Sequence, residues 1–210
     1  MYPGIILLIF LGIIIYMGIG QRVLDRLYLS DNQALFFIAL IIVGSFFDIK
    51  VSQDPYISLN LGGAVIPFFL AVYVFSKADS AKEKIRTIIA IFLTAAVILF
   101  VSRFFRNFGE GRDIIDPLYI YAITAGITAY ILGRSRRSAF VAGILGYILY
   151  DLSILWLVLN GNIVTQIRIG GAGAFDTIVI SGLLAVLLAE LIGESRERFA
   201  IGRGDDNNEK

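Results

Sequence analysis

Ala139-Phe140-Val141-Ala142-Gly143-Ile144-Leu145-Gly146-Tyr147-Ile148-Leu149-Tyr150-Asp151-Leu152-Ser153-Ile154-Leu155-Trp156-Leu157-Val158-Leu159 is the stretch that decides the fold. Its single charge is Asp151 and it holds no proline. At ~1.5 Å per residue a helix of this length spans ~30 Å, the hydrocarbon thickness of a bilayer. The apolar residues cover every face, with neither the one-sided stripe of a soluble amphipathic helix nor the alternation of a barrel strand. Inside a bilayer the backbone must satisfy itself, and a continuous run of this kind does so as an α-helix.

The rest of the chain has the same character. Of 210 residues 58% are hydrophobic, and the mean hydropathy is +0.81; a soluble domain is ~45–50% apolar. Uncharged runs predict spans at about 4–20, 34–48, 61–76, 86–105, 118–133, 139–159 and 174–193. The expected fold class is an all-α membrane protein with about seven transmembrane helices. Residues 1–193 form one transmembrane domain, and 194–210 form a polar tail expected to be disordered. Met1-Tyr2-Pro3-Gly4 enters its hydrophobic run without a positive n-region, which predicts a retained span and not a signal peptide.

Lys and Arg set the orientation. Arg22, Arg26, Lys77, Lys82, Lys84, Arg86, Arg134, Arg136, Arg137, Arg196, Arg198, Arg203 and Lys210 fall on one side, 13 of the 18 basic residues. Lys50, Arg103, Arg106, Arg112 and Arg168 fall on the other. The expectation is N-terminus out and C-terminus in, multi-pass in the cell membrane. Gln21–Gln33 sets Leu24, Leu27 and Tyr28 against Arg22, Asp25 and Arg26, and reads as a helix lying along the inner interface.

Composition excludes several chemistries. With no cysteine and no histidine there is no disulfide, no thiolate or imidazole nucleophile system and almost no zinc chemistry. No metal or cofactor is expected. A net charge of +1 without a basic stripe gives no nucleic-acid footprint.

Two outward loops resemble each other. Ile57-Ser58-Leu59-Asn60-Leu61-Gly62-Gly63-Ala64 and Thr165-Gln166-Ile167-Arg168-Ile169-Gly170-Gly171-Ala172 both alternate and both end in Gly-Gly-Ala. Alternation predicts short strands, and the recurrence points to a parallel duplication. Such strands either cap the outer face or offer an edge to an extended peptide, with Asn60, Gly62, Gly63, Arg168 and Gly170 as the candidate substrate-strand positions.

Ionisable residues inside spans are the candidates for chemistry. Asp151 has no charged neighbour within twelve residues. Helix rise places it ~18 Å from the inner and ~12 Å from the outer end of its span. Asp176 follows Gly170-Gly171-Ala172-Gly173-Ala174-Phe175 and opens the last span. The two spans are consecutive and antiparallel, so the carboxyls can face each other if the glycine segment dips inward. Facing carboxyls share a proton, and one can act as base toward water while the other protonates an amide nitrogen.

Tyr150-Asp151 resembles the Tyr-Asp motif of presenilin and signal-peptide-peptidase type intramembrane aspartyl proteases. Gly171-Ala172-Gly173-Ala174-Phe175-Asp176 resembles their Gly-x-Gly-Asp motif. The resemblance implies that Asp151 and Asp176 are catalytic, supported by Tyr150, Gly171 and Gly173. In this chain the glycines stand two residues further from the aspartate, and no Pro-Ala-Leu signature occurs. Over nearly its full length the chain also resembles an uncharacterised family of prokaryotic membrane proteins with similar Gly-Gly-Ala-x-Ile-Pro and Gly-Gly-Ala-Gly-x-Phe-Asp segments. Three functions stay open. One is an intramembrane peptidase acting on a transmembrane peptide. Another is a proton- or cation-coupled transporter or channel with Asp151 as its ion site. The third is a non-catalytic sensing or assembly module whose small residues pack helices closely.

Overall fold

The computed structural model describes residues 24–25, 27–106, 117–161, 165–173 and 176–205, with isolated positions between 6 and 17. Most of the expected first span, 4–20, and the loop 107–116 lie outside the described residues. The chain is mostly helical. In order it forms α1 (Asp31–Gly44), β1 (Asp48–Gln53), β2 (Tyr56–Asn60), a π-turn (Leu61–Val65) running into α2 (Ile66–Ser76), α3 (Ala81–Arg106), α4 (Pro117–Gly133), α5 (Arg136–Leu159), β3 (Ile167–Ile169) and α6 (Thr177–Asp205).

Local chemistry sets the helix ends. Ser30 Oγ accepts the Gln33 N–H at 3.3 Å and Gln33 Oε1 accepts the Ser30 N–H at 3.0 Å, a capping box that starts α1. The interfacial helix expected over Gln21–Gln33 is therefore not continuous. Tyr28 takes a left-handed φ of 57° and the chain restarts at Ser30. The span expected over 34–48 stops at Gly44, because the next chain segment crosses it there: a Cβ on Gly62 would lie 2.2 Å from the Ile41 carbonyl oxygen. Residues 48–60, past that crossing, form a hairpin instead of helix. The tail expected from 194 is helical through Asp205.

The three strands make one sheet in the order β1-β2-β3. β1 and β2 are antiparallel, from Asp48 opposite Asn60 to Gln53 opposite Tyr56. β2 and β3 are parallel, with Ile57 opposite Ile167, Ser58 opposite Arg168 and Leu59 opposite Ile169. The two look-alike segments are thus strands that pair with each other. Their register is offset from the sequence likeness, which would set Ile57 beside Thr165. The Gly-Gly corners interlock: a Cβ on Gly63 would lie 2.1 Å from the Gly170 carbonyl oxygen.

Asn60 ties this corner together. Its Nδ2 donates to the Ser45 carbonyl and to Asp48 Oδ1, each at 3.0 Å, and its Oδ1 accepts the Gly63 N–H at 2.8 Å. Asp48 is exposed and held by Asn60. Asn60→Ala leaves the Ser45 carbonyl and the Gly63 N–H unpaired in a buried place. A cost of about 2 kcal/mol, or about 4–8 °C in Tm, is expected. Thermal unfolding in detergent measures it; an unchanged Tm would remove Asn60 from the corner.

α5 lies among α2, α3, α4 and α6. The helices meet through small residues, including Ala90, Ala129, Ala139, Ala142 and Ala185, and through buried hydroxyls at Thr87, Thr94, Ser138 and Ser181. Ser181 Oγ donates to the Gly143 carbonyl at 2.9 Å. Larger side chains, among them Leu70, Ile98, Phe140, Ile144 and Ile178, fill the core between the helices, and further large apolar side chains point outward: Phe69, Phe92, Phe100, Trp156 and Leu191 are each more than 60% exposed. Two helices, Ala81–Phe104 and Arg136–Leu159, are long and apolar enough to cross a membrane. The apolar helices Asp31–Gly44, Leu61–Ser76, Tyr119–Gly133 and Thr177–Gly193 are shorter.

Candidate functional site

α5 carries Asp151, and its start is fixed by Ser135, whose Oγ accepts the Ser138 N–H at 3.0 Å. Helical spacing puts Tyr147 and Asp151 on one face, four residues apart. Tyr147 is 2% exposed and meets the Thr177 side chain through its hydroxyl. Its ring sits edge-on to Tyr150 with centroids 5.5 Å apart, and Tyr150 in turn lies 6.1 Å from Tyr121. Asp151 is partly buried and makes no hydrogen bond among the described residues.

Asp176 arrives from the glycine segment. That segment closes in successive tight turns: the Gly173 N–H donates to the Gly170 carbonyl at 2.8 Å and the Asp176 N–H to the Gly173 carbonyl at 3.0 Å. Gly170 and Gly173 hold φ of 71° and 62°, the left-handed conformation that other residues rarely adopt. Gly173 also packs directly on Ser45, at the end of α1. The segment is anchored to the sheet corner and delivers Asp176, 7% exposed, beside α5. Asp176 then caps α6: Oδ1 accepts the Ile178 N–H at 2.9 Å and the Thr177 hydroxyl at 3.3 Å, while Oδ2 accepts the Ala172 N–H at 3.2 Å.

The Asp176 carboxyl acts electrostatically on Asp151, and both carboxyls act on Tyr147. Of the sequence-predicted site residues, Asp151 on α5 and Asp176 at the start of α6 thus stand on two helices that pack together. Tyr150 is buried beside them in the tyrosine cluster. Gly173 is buried in the turn that leads to Asp176, and Gly171 is exposed on its outer side. The candidate substrate-strand positions fare differently. β2 has β1 on one side and β3 on the other, so the Asn60 end of that strand has no open edge. Gly62, Gly63 and Gly170 are consumed by backbone-to-backbone packing. Arg168 lies on β3, exposed, with its guanidinium over the Tyr56 ring at 5.4 Å. β1 and the outer side of β3 remain edges among the described residues.

Tyr147 and Thr177 belong to the site and were not singled out from the sequence. Tyr147 reads as a packing residue in isolation; only its four-residue spacing from Asp151 hinted otherwise. Among the described residues no three acidic side chains converge to hold a metal ion.

A family model described as "Protein of unknown function (DUF1614)" matches residues 10–188. Neither the curated proteins nor the solved structures contain a match.

Proposed function

We propose, from the premise that this chain belongs to the DUF1614 family of proteins of unknown function, that it is an integral membrane peptidase whose paired carboxyls are Asp151 and Asp176. The observation that supports the proposal is that the Asp176 carboxyl acts electrostatically on Asp151 across the packed helices α5 and α6, with no hydrogen bond to Asp151 among the described residues. Two facing carboxyls in a poorly solvated place share one proton. Three donors already rest on Asp176, which puts the shared proton on Asp151. Asp176 then takes a proton from water as it attacks the amide carbon, and Asp151 gives its proton to the departing nitrogen. The likeness of Tyr150-Asp151 and of the glycine-rich segment before Asp176 to the presenilin and signal-peptide-peptidase motifs supports this reading.

The setting proposed is the cell membrane, crossed about seven times within residues 1–193, N-terminus out and C-terminus in. The outer surface supports it: phenylalanine, leucine and tryptophan side chains are exposed around the bundle, while alanines and buried hydroxyls let the helices approach closely. A transmembrane peptide is the substrate class, and the open edges of β1 and β3 are where an unwound segment would extend.

One observation favours a second reading. Asp176 is fully employed as the cap of α6, which leaves Asp151 as a lone intramembrane carboxyl, the arrangement of a proton or cation carrier. Proteoliposomes separate the two. A fluorescence-quenched membrane-spanning peptide reports cleavage, and an entrapped pH dye reports flux. Cleavage by the wild-type protein supports the peptidase; Asp151-dependent flux without cleavage would replace it with the carrier.

A further inference from the structure

At the inner end of α4, α5 and α6 a cavity of about 270 Å³ opens among Tyr130, Arg134, Arg136, Arg137, Ile192 and Gly193. Among the described residues its lining holds three arginines and no acidic side chain. The arginines are not equivalent. Arg137 is spent: its guanidinium donates to the Lys77 carbonyl at 2.7 Å, pairs with Asp79 and reaches Glu83 at 3.3 Å. Arg136 pairs through Nε with Glu190, and its two terminal nitrogens have no protein acceptor among the described residues. Arg134 is exposed and has no acidic partner among the described residues. A left-handed φ of 60° pins its backbone at the corner between α4 and α5. The absence of a side chain at Gly193 keeps the space open, since a Cβ there would stand 3.3 Å from Arg136 Nη2.

Unspent planar guanidinium donors in a concave site match the oxygens of a phosphate group. The other walls, Tyr130, Ala189 and Ile192, are apolar or amphipathic and suit a carbon chain attached to that phosphate. We propose that this cavity binds a phosphate-bearing anion, the chemistry shared by an anionic phospholipid headgroup and a soluble phosphate ester, with Arg134 and Arg136 as its donors. The site is separate from the aspartate pair and does not depend on the peptidase reading.

The full-length protein in detergent is tested with two probes. Phosphatidylglycerol against phosphatidylcholine is scored by native mass spectrometry, and radiolabelled inorganic phosphate by equilibrium dialysis. Arg134→Asn removes the unpaired cation with a residue that tolerates the left-handed backbone. Gly193→Leu fills the cavity and leaves every charge in place, while Lys84→Gln removes an exposed charge elsewhere on the inner face. Expected is selective binding of phosphatidylglycerol, weakened at least tenfold by Arg134→Asn and by Gly193→Leu and unaffected by Lys84→Gln. The same pattern with inorganic phosphate and no lipid selectivity assigns the site to a soluble phosphate. Binding of neither probe, or binding that Lys84→Gln weakens as much as Arg134→Asn does, overturns the proposal. Should Gly193→Leu fail to fold, Arg134→Asn against Lys84→Gln decides alone.

Discussion

On the proposed peptidase reading, Asp151→Asn and Asp176→Asn are each expected to lower peptide cleavage by about a thousandfold or more, with the double substitution no worse than either alone. The size follows from what each carboxyl does. An amide cannot accept the proton of attacking water, and general acid–base help is worth ~10²–10⁴-fold. The non-additivity follows from shared labour: once one member of a proton-transfer pair is gone, the other has no step to serve. The two substitutions differ in stability. Asp151 has no hydrogen bond among the described residues, so its asparagine variant keeps a wild-type Tm. Asp176 caps α6 and holds the glycine turn, but asparagine is also a good cap, so at most about 1 kcal/mol is lost. Cleavage rates and Tm on the same samples check both halves. Retained cleavage in Asp176→Asn would show a single working carboxyl and leave Asp176 as a helix cap only.

The second large effect is structural. Gly63→Ala lowers stability by about 3 kcal/mol or more, the upper range for forcing atoms into a filled site. The new methyl would stand 2.1 Å from the Gly170 carbonyl oxygen, and what it meets is backbone, not the flexible end of a side chain. Relief requires the Gly170 turn to retreat, and that turn sets the place of Asp176 through the Gly173 carbonyl. Cleavage should therefore fall with stability, although residue 63 is not part of the carboxyl pair. Gly161→Asn is the control: Gly161 has a φ of 70° with nothing within 4 Å, and asparagine accepts that conformation at little cost. Denaturation in detergent compares the three proteins. A Gly63→Ala protein as stable as wild type would mean that the two corners do not interlock.

Much of this was legible in sequence because it is local. The helix over Arg136–Leu159 follows from an unbroken apolar run, and the strand segments 57–60 and 167–169 from alternation. Asp151 stood out because a lone charge in such a run is costly. What sequence hid is set by long-range contact. Gly44 ends α1 because Gly62, distant in the chain, packs on it, and no local signal at 44 announces that. β1 is a strand because β2 pairs with it; its own residues, Asp48–Gln53, include two charges and are nearly all exposed. Ile57 and Ile167 pair out of step with the visible likeness because the glycine corners interlock in space. Tyr147 resembled any core tyrosine until α6 brought Thr177 and Asp176 against it. The glycine segment gave no local sign of the turns that the Gly173 and Asp176 N–H groups close on the Gly170 and Gly173 carbonyls.

The meeting of the two aspartates is the claim on which the functional reading stands, and cysteine crosslinking tests it most directly. The chain contains no cysteine, so Asp151→Cys with Asp176→Cys introduces the only two thiols. In native membranes the pair is oxidised, or bridged with short thiol-reactive linkers, since a direct disulfide needs Cα atoms within ~7 Å. Efficient intramolecular crosslinking of 151 to 176, and none between 151 and a cysteine at the exposed Trp156 position, is the predicted result. No crosslink between 151 and 176 at any linker length would contradict a shared site and leave two unrelated carboxyls.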